Sequence, residues 1–224
     1  MPFSSPFSRV GASRLQFVFG MVVAIIFLAV IIGSASRYRY LHGTDRGVES
    51  ARTLNTLLAQ YATDNDSVYP VGEGTRAEGK SEGIALDLLL NNYTPNADIF
   101  AVGSTPRYSG TAKDYADLGP ENLSWDFTAG ANATTGITVA STPDWLPILY
   151  TTGETVDYTM AGNHPYNVEP SGNGPFGHDG IIAAYKSGDV RFMPAKPSGP
   201  ELPLAFFCLM PGDKNTGTYT QIKP

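Results

Sequence analysis

Cysteine is almost missing from this chain of 224 residues: Cys208 is the only one. A single thiol closes no disulfide within the chain and builds no thiolate metal cluster. It lies in an apolar run, LPLAFFCLM, and reads as a small core residue rather than a nucleophile. Histidine is scarce as well. His164 and His178 stand fourteen positions apart, without the i, i+4 or C-x-x-C spacing of zinc sites. Neither has a partner nucleophile in a recognisable setting, so His178 reads as a loop anchor. There is no G-x-S-x-G elbow, no glycine-rich phosphate loop and no paired-carboxylate motif. No catalytic residue and no cofactor are expected, and the chain reads as non-enzymatic. Basic charge is thin beyond residue 52, where nine Lys and Arg face nineteen Asp and Glu. A surface so acidic repels phosphate, which excludes nucleic acid as a partner.

What is present in quantity is one apolar run. Residues 15–35 read LQFVFGMVVAIIFLAVIIGSA, with no charged or polar side chain from Val18 to Ile32. As a helix this run rises about 31 Å, matching a hydrocarbon core of about 30 Å. A soluble domain has no use for a helix apolar on every face. A cleaved secretory signal is the other reading, although a signal's apolar core is shorter, about 7–15 residues. Residues 1–52 carry Arg9, Arg14, Arg37, Arg39, Arg46 and Arg52 against Asp45 and Glu49, a net charge of +4. These arginines flank the run, where they meet anionic head groups of a lipid bilayer. Four follow the run and two precede it, so charge alone places the following head in the cytoplasm.

Four segments result: a basic leader over 1–14, a transmembrane helix over 15–35, an amphipathic helix over 36–68, and a β-rich head over 69–224. The fold class expected is α+β. Val48, Ala51, Leu54, Leu57, Leu58 and Tyr61 recur at spacings of three and four, the mark of one buried stripe. Gly43-Thr44-Asp45 is a point of interruption, with Thr44 a candidate N-cap. The helix is expected to end before Tyr69-Pro70. Residues 71–83, with four glycines, form a polar loop, and 84–90 a short helix. Strands are expected over 123–127, 137–140, 148–151 and 156–160. Residues 162–177 form a long loop. GIIAAYKSGDVRFM then reads as a β-hairpin turning on Lys186-Ser187-Gly188-Asp189. The tail after 194 is expected to be irregular, with 202–210 in the core.

Several residues invite a sharper reading. Asp64 and Asp66 flank Asn65, but the spacing fits no calcium loop, and a helix C-terminus explains them better. Trp125, Trp145 and Tyr150 suit a sugar-binding surface or, more simply, a sheet core. Asn92, Asn122 and Asn132 each head an N-x-S/T triplet.

Two separated stretches resemble the type IV pilin and type II secretion pseudopilin superfamily. The first is the leader, the apolar helix continuing into an amphipathic one, and the ending LNTLLAQYATDNDSVYP. The second is HDGIIAAYKSGDVRFM, similar to the H-x-G-G-x-N-x-x-F-x-D-G-x-V-x-F segment of a bacterial pilin-like group. His178 and the V-x-F agree, while Gly188 and Asp189 stand in exchanged order. The resemblance implies a filament subunit held in the inner membrane, with its head in the periplasm or at the cell surface. It also implies N-terminal methylation and partners that are other pilin-like subunits, a prepilin peptidase and an assembly platform. Cleavage would follow Gly11 and leave Ala12 first. The family's glutamate, fifth after the cut, falls on Gln16, which carries no charge to pair with a neighbour's amine. Gly20, Ala24, Ala29 and Gly33 are the small residues over which such helices approach closely. Two other classes stay open: an anchored binding protein that never polymerises, and a tethered hydrolase using His164 or His178.

Overall fold

The computed structural model describes residues 14–110, 115–158, 172–194 and 218–224; over 14–18, 20 and 33–42 it describes backbone alone. The chain divides into two compact units, Met1–His42 and Gly43–Pro224. The fold is mixed α+β.

In the first unit the backbone is helical from Arg14 onward, the beginning of helix α1 (Arg14–Asp64). Phe19 is 71% exposed, and Ile25, Phe27, Leu28, Val30 and Ile31 are each at least 60% exposed. Successive residues of a helix are 100° apart, so this exposure covers every face. No helix of the described residues is long and apolar enough to cross a membrane, the described side chains of the run being those of Phe19 and residues 21–32.

The second unit holds the remainder of α1, a helix α2 (Ser81–Leu90) and a five-stranded sheet. Its strands are β1 (Trp125–Ala129), β2 (Pro147–Thr151), β3 (Gly180–Tyr185), β4 (Val190–Pro194) and β5 (Thr220–Ile222). They lie in the order β4-β3-β2-β1-β5, every neighbouring pair antiparallel. Short 3-10 turns at Ala97–Phe100, Pro120–Asn122 and Gly177–Asp179 join the larger elements.

Helix α1 passes through Gly43-Thr44-Asp45 without a break, and Thr44 is a buried residue within it rather than its cap. Its buried stripe begins with small side chains: Thr44, Gly47, Ser50 and Ala51, then Leu54, Asn55, Leu58 and Ala62. Val48, Leu57 and Tyr61 flank this stripe, half-buried. The reason is proximity. A β-carbon at Gly47 would stand 2.5 Å from the tip of Ile182 and 2.8 Å from the Phe176 ring, so any larger residue there makes these side chains give way. Farther along, Asn55 donates from Nδ2 to the Tyr185 carbonyl at the end of β3.

The helix ends at Asp64, earlier than the proline alone dictates. Asp66 and Ser67 take left-handed backbone (φ 52° and 63°), and the Ser67 amide returns to the Ala62 carbonyl at 2.8 Å. That closure satisfies a carbonyl the terminus would leave bare. Helix α2 begins three residues before the expected Ile84, and nearly all of it is buried.

The hairpin expected over 180–193 is present as β3 and β4, with Gly188 at φ 88° in its turn. Segments 123–127 and 148–151 are found as β1 and β2, shifted by one or two residues. The tail after 194, expected to be irregular, holds strand β5, which pairs with β1, and two expected strands fail. Over 137–140 only Thr138 pairs, in an isolated bridge to Val68, because the Thr138–Thr142 stretch folds back on itself through hydrogen bonds. Residues 156–158 form no strand; Val156 instead donates to a side chain of β5. Residues 159–160, most of the 162–177 loop, and 202–210 with Cys208 lie outside the described residues.

Candidate functional site

Every residue of β1 and β2 is buried, so both faces of the sheet centre are covered. Alternation sorts the two faces. Trp125, Phe127 and Ala129 share one with Leu149, the register partner of Phe127 in β2, and with Ile182 and Ala184. This face meets the helices: Trp125 donates from its indole to the Ile99 carbonyl, and Ile182 faces Gly47 of α1.

The opposite face is polar. Asp126 lies across from Tyr150, and Thr128 across from Gln221. Gln221 Nε2 donates to Asp126 Oδ2 at 2.6 Å and to the Glu154 carbonyl at 2.7 Å, while its Oε1 accepts from the Val156 amide at 3.2 Å. The hydroxyls of Thr128 and Tyr158 are 2.7 Å apart, those of Tyr158 and Tyr150 2.9 Å. Asp126 has no exposed surface, and among the described residues its Oδ1 has no hydrogen-bond partner of ordinary geometry. Burial pushes its carboxyl up to about 6, against the opposing pull of Thr152, Gln221 and Lys223. Burial likewise raises the Tyr150 and Tyr158 phenols above their ordinary range.

A second buried acid sits at the far end of α1. Asp87 of α2 accepts from Asn91 at 2.6 Å through Oδ1, and the Tyr61 hydroxyl also acts on this carboxyl. Burial raises this carboxyl, and raises Tyr61 beside it.

Asp64 and Asn65 are engaged in ending the helix. Asn65 Nδ2 donates to the Tyr61 carbonyl and to the Tyr93 hydroxyl, which donates to Asp64. Among the described residues no group of three or more His, Cys, Asp or Glu is placed to share a metal ion. His178 lies exposed in the turn before β3, where its ring leaves no room for a β-carbon on Gly172. Asp189 pairs with Arg191, whose guanidinium stands over the Tyr185 ring. Trp125 and Tyr150 belong to the covered sheet, and Trp145 is 6% exposed. Asn122 is buried with its amide on the Pro106 carbonyl, and Asn132 accepts from Thr134 and Thr135 in an exposed turn. Asn92 follows α2 in left-handed backbone.

No family model, curated protein or solved structure matches this chain.

Of the residues singled out from the resemblance, Gly188 and Asp189 share the hairpin turn, with His178 at its other end, just before β3. Ala24 and Ala29 lie in the exposed helix of the first unit; for Gln16, Gly20 and Gly33 only helical backbone is described. Gly11, Ala12 and His164 lie outside the described residues. Reading along the chain missed the Asp126–Gln221 network. Its one signal is an acid inside the strand WDFTA, a polar residue where a covered sheet has no water to meet it.

Proposed function

We infer that this chain is a pilin-like or pseudopilin-like structural subunit, non-enzymatic, held in the inner membrane by residues 15–35 with its head in the periplasm or at the cell surface. One observation carries the reading. Helix α1 runs unbroken from side chains that are apolar and exposed on all sides to a stripe spent in the core of an α+β unit. The exposed apolar part needs a covering of lipid or of like helices. A mere mooring would work as well through a flexible linker. A helix whose later turns belong to the core of the head is suited to a subunit that bundles with others.

The remaining features support the same picture. Gly20, Ala24, Ala29 and Gly33 give neighbouring helices points of close approach. Gln16 removes the charge that would draw in a neighbour's amine, which fits a minor or tip subunit better than a repeating one. Mass spectrometry of membrane-extracted protein tests the assignment, with Ala12 as the expected first residue and high-mass fibres in sheared surface fractions. An uncut, monomeric protein, indifferent to loss of an assembly platform, would favour an anchored binding protein instead.

A further inference from the structure

Strand β5 is short and lies at the edge of the sheet, bonded among the described strands to β1 alone. Two sets of side-chain contacts secure it. Ser81, opening α2, donates its amide to the Lys223 carbonyl at 3.0 Å and its hydroxyl to the Ile222 carbonyl at 3.2 Å. On the polar face Gln221 reaches Asp126, Glu154 and Val156. The groups facing Asp126 are Tyr150 of β2, Tyr158, Glu154 and, beyond Gln221, Lys223. Of these, Glu154 is an acid that is itself buried. A carboxylate next to another acid and shut away from water is costly to keep charged even with Gln221 and Thr152 pulling the other way.

Lifting β5 withdraws Gln221 and brings water to Asp126, so the cost of the charge is relieved by opening this edge. We propose that the Asp126–Gln221 contact is a pH-sensitive clasp, holding strand β5 closed when the Asp126 carboxyl carries a proton and loosening it when the carboxyl is ionised. The protonated carboxyl keeps Oδ2 as an acceptor for Gln221 and sheds the charge that burial penalises. Opening exposes the hydrogen-bonding edge of β1, the kind of edge another strand can pair with. This inference stands independently of the filament reading.

Hydrogen exchange on the full chain in detergent micelles, corrected for the intrinsic pH dependence of exchange, tests it. The amides of Ser81 and of those β5 residues that donate to β1 are expected to be about tenfold better protected at pH 5 than at pH 7.5. The hairpin amides of Tyr185 and Gly188 serve as the control and keep constant protection. D126N is expected to show high protection at both pH values. Equal protection at both pH values in the wild-type chain, or a D126N chain that keeps the difference, would overturn the clasp. Should D126N fail to fold, the carboxyl carbon shift of Asp126 in the wild-type chain decides: a midpoint near 6 supports the clasp, and one near 4 sinks it.

Discussion

Glycine serves two opposite purposes at two positions of the head. Gly47 has ordinary helical backbone but no room, since Ile182 and Phe176 occupy the place of a side chain. Gly188 has open space around it but a φ of 88° that L residues avoid. Gly47→Leu is therefore expected to force α1 away from β3 and to cost about 2–3 kcal/mol, read as a fall in melting temperature. Gly188→Ala should cost only about 1 kcal/mol, all of it backbone strain. Asp126 presents the opposite case, a residue kept against stability. Its folded carboxyl titrates near 6, above the ordinary Asp value of 3.8, so the fold favours the neutral form. The sign follows: stability falls as pH rises from about 4 to about 6 and is level above that. Asp126→Asn is expected to raise stability at pH 7 by roughly 2 kcal/mol and to leave it unchanged near pH 4. Denaturant melts of both proteins at the two pH values measure this, with Asp87 adding a slope of the same sign in each.

At the scale of elements, the hairpin was readable and the last strand was not. The β3–β4 unit is local: two apolar runs of strand length around a glycine turn contain their own partners. Strand β5 is three residues, TQI, following a proline-punctuated tail; its Thr and Ile suit a strand, but it is too short to show an alternating pattern. It pairs because Ser81, Asp126 and Phe127, far away in sequence, leave a place for it. Removing residues 221–224 is expected to cost about 3 kcal/mol or more, since β1 loses its neighbour and Asp126 its donor. Limited proteolysis at neutral pH should then cut a β1 region that the full chain protects. The same distinction separates the two ends of α1. Its periodic stripe announced a helix, but its early stop at Asp64 came from left-handed backbone at Asp66 and Ser67, unmarked by glycine.

For the whole molecule the issue is what covers the exposed apolar helix of the first unit. If lipid and neighbouring helices do so, replacing Ala24, Phe27 and Ala29 together by Arg is expected to lower the membrane-extracted fraction at least tenfold, since each arginine near mid-membrane costs about 2.5 kcal/mol or more and three outweigh what the apolar run gains by insertion. Carbonate washing of membranes with detection of the chain measures it. An unchanged membrane fraction would count against the bilayer anchor and would leave the head's fold untouched. By itself the sequence determined the pattern-borne features: an oily helix running into a striped one, a charge divided between two parts of the chain, a glycine-turned hairpin, and an α+β composition. Each is written in neighbouring residues, through spacing or uninterrupted apolarity. The tertiary structure alone decided which side chains face which. The small-residue seam of α1, the pairing of β5 and the enclosed Asp126–Gln221 contact join positions as distant in sequence as Gly47 and Ile182. Local pattern holds no record of such distances, because burial and hydrogen-bond closure are properties of the packed chain.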